Sequence, residues 1–209
     1  MRSERTKTFI EQARRRQIVE GALEVIAEQG YPQASLARIA DHIGIAKSAV
    51  LYHFTNKSEV VEAVFAEIFT RGAAVIVPAV NAETTAAARL SAYIRANLAF
   101  VAANRLAAVA MLELISGYRD ADGLRVDQAA AKAVQENPPT GDLAALDPQG
   151  IFAAGLQSGE FRELSPLFMK NILRGALDSA AQEYARDPDY DVVTHGEVLV
   201  EVFEKATAP

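Results

Sequence analysis

The residues with the most recognition chemistry in this 209-residue chain lie close together: Lys47, Ser48, Ala49, Tyr52 and His53. On a helix they share an outer face, while Val50 and Phe54, four residues apart, point inward. Short side chains permit close approach to a major groove, and hydroxyl, amine and imidazole groups suit base edges and phosphates. Ser35 and the backbone N–H groups that follow it offer a helix N-terminus, which suits a phosphate. Catalysis has much less to draw on. The histidines are His42, His53 and His195, widely spread, and none has a Glu three residues before it. The chain contains no His-Glu-x-x-His, no phosphate-cradling glycine loop and no nucleophile elbow. It has no cysteine, which removes disulfides, thiolate metal sites and Cys nucleophiles. The reading is a protein that recognises rather than converts, with no enzyme activity, cofactor or metal site expected.

Such a face needs elements to hold it. A first helix is predicted from about Phe9 to Gln29, with Ile18, Ala22, Val25 and Ile26 on one buried face. Gly30 stands at its C-cap and Tyr31-Pro32 ends it. Ser35 caps a second, two-turn helix in which Leu36, Ile39, Ala40 and Ile43 repeat at helical spacing. Gly44 can take positive φ and reverse the chain, so that Ile39, Ile43, Ile45 and Val50 lock this helix to a third, about Ala46 to His53. Ala46 is a weak N-cap. Asn56, with Glu59 three residues on, caps a fourth helix from Lys57 to about Val77, which Pro78 should stop.

Beyond this the pattern predicts helices at about 84–103, 105–118, 146–158, 166–186 and 192–206 and a loop over Asn137–Gly141, and it leaves open a further short helix at 126–136. The expected fold is all-α: a three-helix N-terminal module, residues 1–60, and a larger helical domain, residues 61–209, with about nine helices in total. Half of the residues are hydrophobic, enough for a sizeable core. The net charge of −6 is unevenly spread: residues 1–60 sum to +2 and residues 61–209 to −8. A basic end on an acidic protein suits a polyanion. Arg14, Arg15 and Arg16 would add to the salt-dependent attraction as an N-terminal arm, or form a solvated face. The first sixteen residues have no apolar stretch and no window reaches the roughly 18 apolar residues of a membrane span, so a soluble, cytoplasmic protein is expected.

The spaced pattern Arg16-Gln17-Ile18-Val19, Ala22, Gly30-Tyr31, Ser35, Ile39-Ala40, Gly44-Ile45, Tyr52-His53-Phe54 and Lys57 resembles the N-terminal signature of the TetR family of repressors over about residues 14 to 64. The resemblance implies a helix-turn-helix over Ser35–Phe54. Ser35 would touch phosphate, Lys47, Ser48 and Ala49 would face bases, Tyr52 and His53 would reach backbone or base edges, and Lys57 would bind phosphate. Leu51 departs from the family's usual Tyr; a thymine methyl is an alternative contact for it. From the residues alone, Tyr52 also suits an interface aromatic and His53 a helix C-terminal cation.

The resemblance further implies a homodimer on a palindromic operator and a pocket for a small-molecule inducer. Phe168, Ile172, Gly175, Ala176 and Ser179 in one helix, and Leu199, Val202 and Phe203 in the last, form stripes suited to a four-helix dimer interface or to packing within one chain. Tyr93, Asn97, Phe100, Met111, Glu113, Phe152, Asn171, Arg174 and Asp178 are polar or bulky residues in apolar settings, suited to lining a ligand cavity or to the core. The function expected is a ligand-responsive DNA-binding regulator, most naturally a repressor. The alternatives are a helical interaction module that ignores DNA, and a helical-bundle enzyme.

Overall fold

The computed structural model describes residues 2–137 and 139–209; Pro138, within the expected loop, lies outside the described residues. Ten α-helices are present among them: α1 (Arg2–Gln29), α2 (Leu36–His42), α3 (Lys47–His53), α4 (Lys57–Asn81), α5 (Ala86–Ala103), α6 (Arg105–Gly117), α7 (Val126–Glu136), α8 (Pro148–Ser158), α9 (Pro166–Arg186) and α10 (Val192–Thr207). Short 3-10 turns occupy Tyr31–Gln33 and Gly141–Leu146. No strand occurs among the described residues, only an isolated bridge between Arg119 and Arg125. The all-α expectation holds, with one helix more than the nine expected. No single helix among the described residues is long and apolar enough to cross a membrane.

The chain packs as two compact units: Met1–Phe69 with Val109–Ala130, and Thr70–Ala108 with Ala131–Pro209. The packing boundary therefore does not fall at residue 60. Helices α4 and α6 each contribute to both units, and the end of α6 belongs with the N-terminal helices.

In the first unit, Ile18, Ala22, Val25 and Ile26 are buried as their spacing requires, and Val19 and Leu23 join them. Ser35 Oγ accepts the Arg38 N–H at 3.2 Å and so starts α2. Gly44, at φ +69°, makes the turn to α3. The Ile45 N–H returns to the Ala40 carbonyl across that turn at 2.9 Å. Ile39, Val50 and Phe54 are almost fully buried beneath the two short helices, whereas Ile43 and Ile45 are half-buried. Ala46 supplies no side-chain cap to α3. Asn56 Oδ1 accepts the Glu59 N–H at 2.9 Å, and Glu59 returns to the Thr55 N–H at 2.7 Å, one residue earlier than a reciprocal box requires.

Two boundaries differ from the periodicity. Helix α1 begins at Arg2 rather than near Phe9. Its first turns carry no apolar stripe, but they contain no Pro or Gly, and charged residues are good helix formers. Helix α4 continues through Pro78 to Asn81. The proline forfeits one backbone bond, at a cost of roughly 3 kcal/mol. Ile76 and Val80 on either side are buried, which offsets that loss.

The second unit is built on α5, α8, α9 and α10. Its core includes Tyr93, Ile94, Leu98, Phe152, Phe161, Leu173, Leu199 and Phe203. Thr85, Asp147, Ser165 and Asp191 cap α5, α8, α9 and α10 through their side chains.

Candidate DNA-binding surface

The first unit presents α3 outward. Lys47 and Ser48 in its first turn are exposed, and so are Leu51 and Tyr52; Tyr52 is 70% exposed. Ala49 and His53 are half-buried, and the His53 ring meets Tyr52 edge-on at 5.0 Å. Ser35 is exposed at the start of α2. These exposed residues are mainly polar, with Leu51 the apolar exception, while Ile39, Ala40 and Val50 of the same helices are turned inward. Tyr52 presents a single large aromatic ring to solvent. Here its hydroxyl donates to Glu11 of α1 at 3.3 Å, so it is tethered but not covered.

Lys57 stands apart. It is half-buried, its Nζ donates to the Tyr31 carbonyl at 2.6 Å, and the ammonium lies 3.9 Å from the centre of the Tyr31 ring. Burial lowers its pKa and raises that of the Tyr31 phenol. In this conformation Lys57 ties the start of α4 to the turn after α1.

Tyr31 itself is a junction, joining the turn after α1 to the end of α6 and the residue that follows it. Its N–H donates to Glu113 at 3.2 Å, and its ring packs edge-on against Tyr118 at 5.8 Å. Tyr118 in turn donates to Glu62 at 3.3 Å. Glu113, expected to line a ligand cavity, thus acts as an acceptor for the helix-turn-helix unit, and Met111 lies in that same unit.

The second unit gathers other expected pocket residues. Tyr93 and Phe152 are buried, and Asn97 donates to the Tyr93 carbonyl at 2.7 Å. Burial raises the Tyr93 pKa; Arg174 and Asn97 oppose this, and Asp147 and Asp178 reinforce it. Arg174 and Asp178 of α9, both exposed, therefore lie within electrostatic reach of Tyr93 in α5. Phe100 is half-buried, and Asn171 is exposed and outside this group. A separate open groove of about 890 Å³ is lined mainly by alanines of α4 and α5, with Arg95 and Glu204 at its edge; none of the expected pocket residues lines it.

The expected dimer stripe divides in two. Phe168 is 63% exposed, Ile172 43% and Val202 53%, with Gly175 and Ser179 also outward and Ala176 half-buried. Leu199 and Phe203 instead point into the subunit's own core and are almost fully buried. The outward large apolar residues of α10 are Val193, Val198 and Val202.

Comparison with known proteins agrees with this architecture. The family model described as Bacterial regulatory proteins, tetR family, matches residues 18–64, the segment that carries α2, α3 and their supports. The fatty acid metabolism regulator protein of Bacillus subtilis is 28% identical over 189 residues, covering 89% of this chain and 91% of that protein. The HTH-type transcriptional regulator TtgW of Pseudomonas putida is 46% identical over 52 residues, 25% of this chain. Among solved structures, FadR from Bacillus subtilis in complex with stearoyl-CoA superposes with a TM-score of 0.73 at 24% identity, over 91% of this chain and 97% of that one. The exposed recognition surface falls in the segment, residues 18–64, that matches the tetR family model, and the chain is a DNA-binding transcriptional regulator.

Proposed function

We propose that this regulator is a homodimeric repressor whose two α3 helices read a palindromic operator, and that a long-chain fatty acyl-CoA releases it. The similarity over nearly the whole chain to a fatty acid metabolism regulator carries the choice of ligand. The FadR structure with stearoyl-CoA supports the same class. In the second unit apolar residues around Tyr93, with Arg174 in electrostatic reach of it, supply the two chemistries such a ligand needs. The ligand releases DNA only if it binds the DNA-incompetent state more tightly.

Base contacts are assigned to Lys47, Ser48, Ala49, Leu51 and Tyr52, and backbone contacts to Ser35 and His53. Lys57 reaches phosphate only by leaving Tyr31; without that movement it serves as a brace. Selection of bound sequences from random duplex DNA should yield a palindrome, and stearoyl-CoA should displace it. An asymmetric consensus refutes the dimeric reading, and DNA binding unmoved by stearoyl-CoA or shorter acyl-CoAs refutes the ligand.

The dimer face proposed is the outward stripe of α9 and α10: Phe168, Ile172, Gly175, Ser179 and Val202. Several large apolar side chains exposed along two neighbouring helices are what a helical dimer interface covers. Phe168→Glu should convert the dimer to a monomer in light scattering and lower operator affinity by about 100-fold, because each half-site then binds alone. A dimer that persists in this variant places the interface elsewhere.

A further inference from the structure

We propose that Arg15 of α1 is a positioning residue for the recognition helix, fixing the C-terminal end of α3 and thereby setting operator specificity. The inference rests on the assignment of α3 as that helix. Arg15 belongs to a basic run that invites a phosphate-binding role, yet its side chain is turned onto the protein. Its Nη1 donates to the carbonyl of His53, the last residue of α3, at 2.8 Å. The guanidinium carbon lies 4.0 Å from the centre of the Phe54 ring. The same Nη1 is 3.6 Å from Glu59 Oε1 near the start of α4. One side chain therefore joins α1, the end of α3 and the start of α4.

Helix α3 needs such support. It has seven residues and no side-chain cap at Ala46. A helix this short is unstable alone, and its final carbonyls have no partners within it. A cation at the C-terminus satisfies one of them and complements the dipole. Phe54, onto which the guanidinium stacks, is buried, so the contact anchors the end of α3 to the core. Glu59 is held in turn by the Thr55 N–H at 2.7 Å. One turn earlier on α1, Glu11 holds the Tyr52 hydroxyl, so α1 supports the same end of α3 twice. Base readout requires side chains placed to a fraction of an ångström, whereas phosphate attraction tolerates a loose helix. Loss of the anchor should therefore reduce discrimination more than general affinity.

The test compares two duplexes across a salt series by fluorescence anisotropy: one enriched by the wild-type protein from random DNA, and a scrambled version of it. Arg15→Ala should bind the enriched duplex about 10-fold more weakly and the scrambled duplex within about 2-fold of wild type, with the slope against salt unchanged for both. Equal losses on both duplexes, with a slope shallower by about one, would make Arg15 a phosphate contact and overturn the proposal. Unchanged binding to both overturns it as well. If Arg15→Ala does not fold, Arg15→Lys decides. Lysine keeps a donor and the charge but not the planar stack, so an intermediate specificity ratio is expected, and a wild-type ratio overturns the role of the guanidinium. Failure of the wild-type protein to enrich any duplex would overturn the assignment of α3, and this inference with it.

Discussion

Ser48→Glu should lower operator affinity by at least about 100-fold, close to 3 kcal/mol, while leaving the fold intact. Ser48 is exposed in the first turn of α3, next to Lys47, so a longer side chain can extend into solvent. A carboxylate there is favourable for the isolated protein: α3 has no acidic residue in its first turn and no side-chain N-cap, so a negative charge complements the helix dipole. The melting temperature should stay level or rise slightly. Against DNA the same charge meets phosphates and base acceptors in a groove that admits few counterions, and it offsets the neighbouring charge of Lys47. A variant that folds better and binds far worse separates recognition from stability, which few substitutions in so small a helix can do. Gel shift with the enriched duplex and a melt on the same sample check both halves. Wild-type affinity would remove α3 from the major groove and with it the assignment of this surface.

What was legible in the sequence was local. Ile18, Ala22, Val25 and Ile26 announce one buried face because helical spacing is set by the backbone, whatever the rest of the fold. Gly44 announces the turn because few other residues adopt its φ of +69°. Ser35 caps α2 over three residues, a distance at which composition decides. What was not legible depends on contacts far apart in the chain. Arg15 meets a carbonyl 38 residues away, and Tyr31 meets a carboxylate 82 residues away. Nothing in the spacing of Glu113 says that its partner is a backbone N–H in the DNA-binding unit rather than a ligand. Pro78 reads as a stop by propensity, but burial of Ile76 and Val80 overrides it. Helix α10 is apolar on two faces, and period alone does not say which one the subunit keeps. Leu199 and Phe203 went to its own core, and Val198 and Val202 were left outward.

Phe152→Ala bears on that same ambiguity, because Phe152 suits both a cavity wall and a core residue. Its side chain is fully buried, with ring centres of Phe161 and Phe203 each 6.1 Å away. The three rings tie α8, the segment after it and α10 together. Removing a ring from so closed a site loses its transfer energy and leaves a void that rigid neighbours do not fill, typically about 3–5 kcal/mol. The melting transition of the variant should fall by roughly 10 °C in calorimetry. Phe152→Leu, which keeps most of the volume, should lose less than half as much. The packing around these rings leaves little slack: a Cβ at Gly155 would overlap the Phe161 ring, and the Phe161 N–H is bonded to the Gly155 carbonyl at 3.0 Å, which holds the backbone that carries the ring close to α8. Gly155→Ala should therefore also destabilise, by about 1–3 kcal/mol, through overpacking rather than a void. If Phe152 were chiefly a cavity wall, its truncation would enlarge a space that already exists, the melt would shift by less than about 2 °C, and the change would appear in acyl-CoA affinity instead. Tight packing on both sides of Phe161 favours the first outcome, with the void and the clash lowering stability from opposite directions at one cluster.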